Sequence, residues 1–176
     1  DLLGDVIELK SLTEVGITED IEENGTTFEE NAMIKARAAA KSGYPGLGDD
    51  SGLVVRALNM APGVYSARYA GEHGNDAANN ALLLKNMEGE RDRAAAFVCA
   101  LALAFPDGSA PIRAVGAVEG EILFNPRGEG GFGYDPLFYF PQFGKTFAEV
   151  TPEEKHSVSH RGKAIRAFAK KLKEYL

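Results

Sequence analysis

The chain has no tryptophan, one cysteine, three histidines and three methionines in 176 residues. A single thiol cannot close an internal disulfide. Cys99, set in an apolar run, therefore reads as a small core residue in a reducing compartment, the cytoplasm. Three scattered histidines and one cysteine make no zinc signature. No apolar run approaches the ~18 residues that a membrane-crossing helix requires. Basic side chains are the minority: 19 Lys and Arg against 26 Asp and Glu leave a formal net charge of −7. That balance argues against broad contact with nucleic acid or a membrane surface, which needs a basic face. It leaves room for a small phosphate ligand, held by a local basic cluster or by a metal between carboxylates and phosphates. The first residues, Asp1-Leu2-Leu3-Gly4-Asp5, carry neither the basic nor the apolar region of a signal peptide. Length and a 44% apolar fraction fit a single domain over residues 1–176, with no internal repeat.

What the chain does have is concentrated in a few stretches. Gly48-Asp49-Asp50-Ser51-Gly52 places two adjacent carboxylates and a hydroxyl between glycines, just before Leu53-Val54-Val55. Neighbouring carboxylates repel, so such a pair tends to hold a hard cation or share a proton. A polar β-turn is the plainer reading of the same composition. Upstream, Glu19, Asp20, Glu22 and Glu23 form an acidic run, by default a solvated loop.

Secondary structure can be read from the patterning. Residues 6–9 read as a short strand after a helix end at Leu2 and Leu3. Thr27 with Glu30 suggests a capping box, and an Ala-rich helix follows to residue 40, stopped by Gly43 and Pro45. Phe28, Ala32, Ala36 and Ala39 share its packing face, while Asn31 and Lys35 share another. A strand is expected over residues 53–58, a helix over 76–87 and a buried strand over 94–105. Two further strands, 112–117 and 119–124, are expected around Gly120, and another over 137–140. A final helix is capped by Ser157 or Ser159. Together these give an α/β fold, an elongated mixed β-sheet flanked by helices.

Two late stretches invite a ligand. Residues 127–136 hold four glycines within six positions, which costs chain entropy and suggests a tight path or a close ligand. Phe132 and Tyr134 offer rings to stack on a planar base, and Asp135 an acceptor for base N–H groups; a Gly-rich hairpin with core aromatics is the alternative. Lys155, His160 and Arg161 gather at the start of the last helix, where the helix dipole favours anions rather than cations. A polar ligand would account for them. His73 and His156 read as ordinary surface residues.

Five motifs occur in order: TFEENA with Lys35-Ala36, Asp49-Asp50-Ser51-Gly52-Leu53, Ala61-Pro62-Gly63-Val64-Tyr65-Ser66-Ala67-Arg68-Tyr69, GGFGYDP over residues 130–136, and Glu154-Lys155 with Ser159-His160-Arg161-Gly162. In these the chain resembles the inosine triphosphate pyrophosphatase family, the non-canonical purine nucleotide pyrophosphatases. The resemblance implies a Mg²⁺-dependent hydrolase that cleaves ITP, dITP or XTP to the monophosphate and pyrophosphate. It also implies two lobes with a central cleft and a homodimer. By the same resemblance Glu22 and Asp50 ligate Mg²⁺, and Asp50 activates the attacking water. Asp49, Glu23 and Lys35 tune that site, and Ser51 binds the nucleotide. Phe132, Gly133, Tyr134, Asp135, Lys155, His160 and Arg161 hold the base. Family members begin with a strand and a phosphate-binding loop, so a first βα unit is expected to be missing here. The alternatives are a nucleotide-binding form without turnover and another Mg²⁺-dependent phosphohydrolase.

Overall fold

The computed structural model describes residues 4 and 6–176. Its helices are α1 (Phe28–Ala40), α2 (Asp76–Asn86), α3 (Pro152–Val158) and α4 (His160–Tyr175). Its strands are β1 (Gly46–Val55), β2 (Ala94–Ala104), β3 (Ile112–Ile122), β4 (Phe138–Phe140) and β5 (Lys145–Thr146). The strands lie side by side in that order. Where a mixed sheet was expected, every ladder among the described residues is antiparallel. Strands that neighbour in both sequence and space meander up and down, and need none of the crossovers that parallel pairing requires. Residues 6–9 form no strand, and the helix end expected at Leu2 and Leu3 lies outside the described residues.

The sheet is covered differently on its two faces. Helix α1 lies on one, packing Phe28, Ala32, Met33, Ala36 and Ala40 against Ala100, Ala102 and Ala104 of β2. Helix α4 lies on the other, where Ala164, Phe168 and Leu172 meet Cys99, Leu101, Leu103 and Ala114. Further along this second face an aromatic core gathers Leu53, Phe97, Leu137, Phe138, Phe140 and Phe147. Strand β2 is buried on both faces over residues 99–104, as its unbroken apolar run required.

Two expectations about glycine are corrected. The acidic stretch is no turn: residues 48–52 run through the middle of β1, paired residue by residue with β2. A Cβ on Gly48 would stand 2.0 Å from the Ala32 carbonyl oxygen, and one on Gly46 2.2 Å from that of Ala36. These glycines let the α1 backbone settle onto the strand. Likewise Gly120 ends no hairpin, because residues 112–122 form one strand. A Cβ there would lie 2.5 Å from the Tyr139 oxygen.

Caps follow the expected chemistry with one addition. Thr27 accepts from the Glu30 amide, while the Glu30 carboxylate turns back to Thr26 rather than to Thr27, so the reciprocal box is half made. Ser159 caps α4 by accepting from Gly162. A separate helix α3, started by a full capping box of Thr151 and Glu154, precedes it where the sequence suggested only a lead-in.

Candidate active site

Alternation along β1 decides the site. Side chains of neighbouring strand residues point to opposite faces. Asp50 therefore shares the α1 face with Gly48, while Asp49 and Ser51 look toward α4 with Leu53 and Val55. The two carboxylates do not form one chelating pair, as their adjacency had suggested. Each belongs to its own cluster, and the clusters are joined through one strand whose consecutive Cα atoms are ~3.8 Å apart.

On the α1 face, the Lys35 ammonium lies 3.3 Å from Asp50 Oδ1 and contacts the Glu23 carboxylate. Asn31, buried one turn earlier, accepts from the Gly25 amide at 2.8 Å and so ties the preceding acidic segment to α1. Asp50 Oδ2 is buried with no protein partner. The titration directions do not fit a simple ion pair. Desolvation opposes the charge on Lys35 but is outweighed by Glu23 and Asp50, so its pKa is raised. Asp50 is raised as well, first by desolvation, with Lys35 opposing and Glu23 adding to the rise. Two carboxylates around one ammonium account for the rise of Lys35, and burial, only partly opposed by Lys35 and Asn31, accounts for that of Asp50. Glu22 is not brought here. It is exposed and lines a cleft with Ile34, Arg37 and Lys41 on the outer side of α1, so Glu23 takes the place expected of it beside Asp50.

On the α4 face, Arg161 clamps Asp49 with two bonds, Nε to Oδ2 at 3.1 Å and Nη2 to Oδ1 at 3.2 Å, and reaches Ser51 Oγ at 3.4 Å. The buried Cys99 thiol lies beneath, 3.7 Å from Asp49 Oδ2, and burial pushes its pKa up, so it is an inert packing group. His160 stacks on Phe97 with centroids 5.0 Å apart. Its Nδ1 is buried without a partner. Desolvation first, then Arg161 and Lys155, lower its pKa to about 4, so the ring is neutral at pH 7.

The glycine-rich loop is held inward by two of its polar side chains. Asp135 is buried and its Oδ2 accepts from Lys155 Nζ at 2.5 Å and from the Phe132 amide at 3.1 Å. Tyr134 is buried too, donating its hydroxyl to the Ser66 carbonyl at 2.6 Å, and burial raises its pKa. Both had been expected to face the base. Tyr134 instead anchors the loop in the core, and Asp135 orients Lys155. Phe132 remains available: the residue is 67% exposed, with Lys155 Nζ 4.4 Å from its ring centroid. Gly133 adopts φ +59°, a left-handed conformation that glycine takes without strain. His73 and His156 are exposed, as expected of surface residues.

His160 gives a pH signature. Its pKa lies at about 4 when folded, against 6.5 for the free group. The unfolded chain thus takes up a proton that the folded chain refuses, and stability falls as pH drops from about 6.5 toward 4. The loss is complete near pH 4 and is on the order of 3 kcal/mol. Melting temperatures of the parent and His160→Asn should converge as pH falls through this window; parallel curves would contradict a neutral, half-buried His160.

An antiparallel sheet between two helices, with a carboxylate–lysine cluster on one face and an arginine–carboxylate clamp and exposed aromatic on the other, defines an α/β protein with a polar, two-sided candidate active site. The chain belongs to the Ham1 family, which matches residues 1–171. It is 54% identical to a dITP/XTP pyrophosphatase from an Exiguobacterium species over 160 residues, covering 90% of this chain and 81% of that protein. A dITP/XTP pyrophosphatase of Haemophilus influenzae is 51% identical over 177 residues, covering 98% and 90%. Among solved structures, a HAM1 protein from Coxiella burnetii superposes with a TM-score of 0.93 at 48% identity, covering 98% of this chain and 90% of that one.

Proposed function

We propose that this chain hydrolyses non-canonical purine nucleoside triphosphates, dITP, ITP and XTP, to the monophosphate and pyrophosphate. The observation that carries the reading is Asp50: a partly buried carboxylate with a raised pKa and one unpartnered oxygen, beside a shared lysine. A raised pKa brings a carboxylate closer to the range in which it can take a proton from water. Asp50 activates the water that attacks the α phosphorus, and Lys35 offsets the charge that develops on the phosphates. The relatives' shared name, dITP/XTP pyrophosphatase, supports the same substrate class.

Magnesium fits this donor set only in part. Among the described residues no three His, Cys, Asp or Glu side chains form a metal cluster. Mg²⁺ takes one or two carboxylates plus substrate phosphates, so Asp50 with Glu23 is enough on the protein side. Bound there, the ion would polarise phosphate oxygens.

The base stacks on the open face of Phe132, with Lys155 Nζ beside the ring. Donors at Lys155 and Arg161 suit a 6-oxo purine and clash with the 6-amino donor of adenine. We extend the proposal to a cytoplasmic homodimer. The α1 side of β3 exposes Arg113, Val115, Ala117, Glu119 and Glu121, a strip whose basic and acidic ends can meet their opposites in a second copy. Sedimentation at the monomer mass would remove that extension.

A nucleotide panel tests the activity. With Mg²⁺, dITP, ITP and XTP should be turned over far faster than dATP, yielding pyrophosphate, and EDTA should abolish turnover. Release of inorganic phosphate would favour a different phosphohydrolase; tight dITP binding without product would favour a binding module.

A further inference from the structure

The purine-stacking loop is steadied by a helix that no motif singled out. Gly133, immediately after the exposed Phe132, is gripped at both sides of its peptide by α2. Its amide donates to Asp76 Oδ2 at 2.9 Å, and its carbonyl accepts from Asn80 Nδ2 at 2.9 Å. Asp76 and Asn80 are four residues apart, so they stand one above the other on a single face of α2. The same Asn80 amide donates to the Asp76 carbonyl at 2.9 Å, which fixes its rotamer. Its Oδ1 is buried without a protein partner.

We infer that Asp76 and Asn80 are positioning residues for base recognition, holding Gly133 in its left-handed conformation and thereby aiming the Phe132 ring. The inference rests on the proposed function and deepens it. The contact with Asp76 is charge-assisted, so it is the stronger of the two. The site requires this support because Phe132 has little packing of its own. The residue is 67% exposed, and its backbone is fixed by its amide's bond to Asp135 and by the neighbouring peptide of Gly133. Without the α2 fork, a glycine at that point is free to visit several conformations, and the ring would be aimed correctly only part of the time. Affinity for the base then drops in proportion to the competent fraction. The chemistry at Asp50, on the far face of β1, is untouched.

The test is steady-state kinetics on the full chain with Mg²⁺ and dITP, for the parent, Asp76→Ala, Asn80→Ala and Asp76→Asn. The alanine variants should raise KM for dITP by about tenfold and leave kcat within about twofold of the parent. Asp76→Asn keeps an acceptor for the Gly133 amide and should recover most of the lost KM. Inorganic triphosphate, which lacks a base, should inhibit all four proteins with the same constant; that separates loss of base affinity from general loosening. An unchanged KM in both alanine variants would overturn the inference, as would equal weakening of triphosphate inhibition. If the parent itself fails to hydrolyse dITP, the functional reading beneath it fails instead.

Discussion

Replacing Asp50 by asparagine should lower dITP hydrolysis by at least ~100-fold, the scale expected when a positioned proton acceptor is lost. The substitution keeps the shape of the side chain and removes its charge. Lys35 keeps Glu23 as a partner, so no unpaired ammonium is left behind. The folded protein holds the Asp50 carboxyl above its ordinary pKa. Such a group binds its proton more tightly folded than unfolded, so at pH 7 its ionised form works against the fold. The asparagine variant should therefore melt at the parent's temperature or slightly higher while being nearly inactive. Activity within a few-fold of the parent would remove Asp50 from the chemistry.

Gly48→Ala should act through packing and reach the same site indirectly. The added methyl would stand 2.0 Å from the Ala32 carbonyl oxygen and 2.6 Å from the Ala36 amide, both backbone atoms of α1. Backbone cannot swing aside as a side-chain tip can, so the helix must lift from the strand. Overpacking of this kind costs about 1–3 kcal/mol, often more where backbone must move. Lys35 rides on the same helix and would shift from Asp50, so activity should fall along with melting temperature. Alanine at Gly43, a φ +90° position with open space around it, should strain only the local turn and spare the site. A Gly48→Ala protein with the parent's stability and activity would return residues 48–52 to the role of a tolerant polar segment.

These two variants also mark where sequence reading succeeded and where it stopped. Composition and periodicity located α1, α2 and β2 to within a residue or two, because their apolar spacing is unambiguous. The face of α1 that carries Asn31 and Lys35 turns toward β1, which brings Lys35 within 3.3 Å of Asp50. Glycine misled twice. At residues 48 and 120 it marks close approach of another backbone, yet in sequence it looks the same as a turn signal. The mistake about β1 hid its main consequence, since only an extended strand sends Asp49 and Asp50 to opposite faces. Tyr134 and Asp135 looked like base ligands for a related reason: an aromatic and an acid beside glycines fit a ligand or a core anchor equally well. Their partners, the Ser66 carbonyl and Lys155, lie 68 and 20 residues away. The grip of Asp76 and Asn80 on Gly133 spans 57 and 53 residues and had no local signal beyond the i, i+4 spacing of two polar residues on a helix.

The central claim is that water is delivered to the α phosphorus from the Asp50 side of β1, while the base is held from the α4 side. Hydrolysis of dITP in ¹⁸O-enriched water with Mg²⁺, followed by mass analysis of both products, addresses this directly. The account expects one labelled oxygen in dIMP and unlabelled pyrophosphate. Label appearing in pyrophosphate, or in released inorganic phosphate, would contradict it.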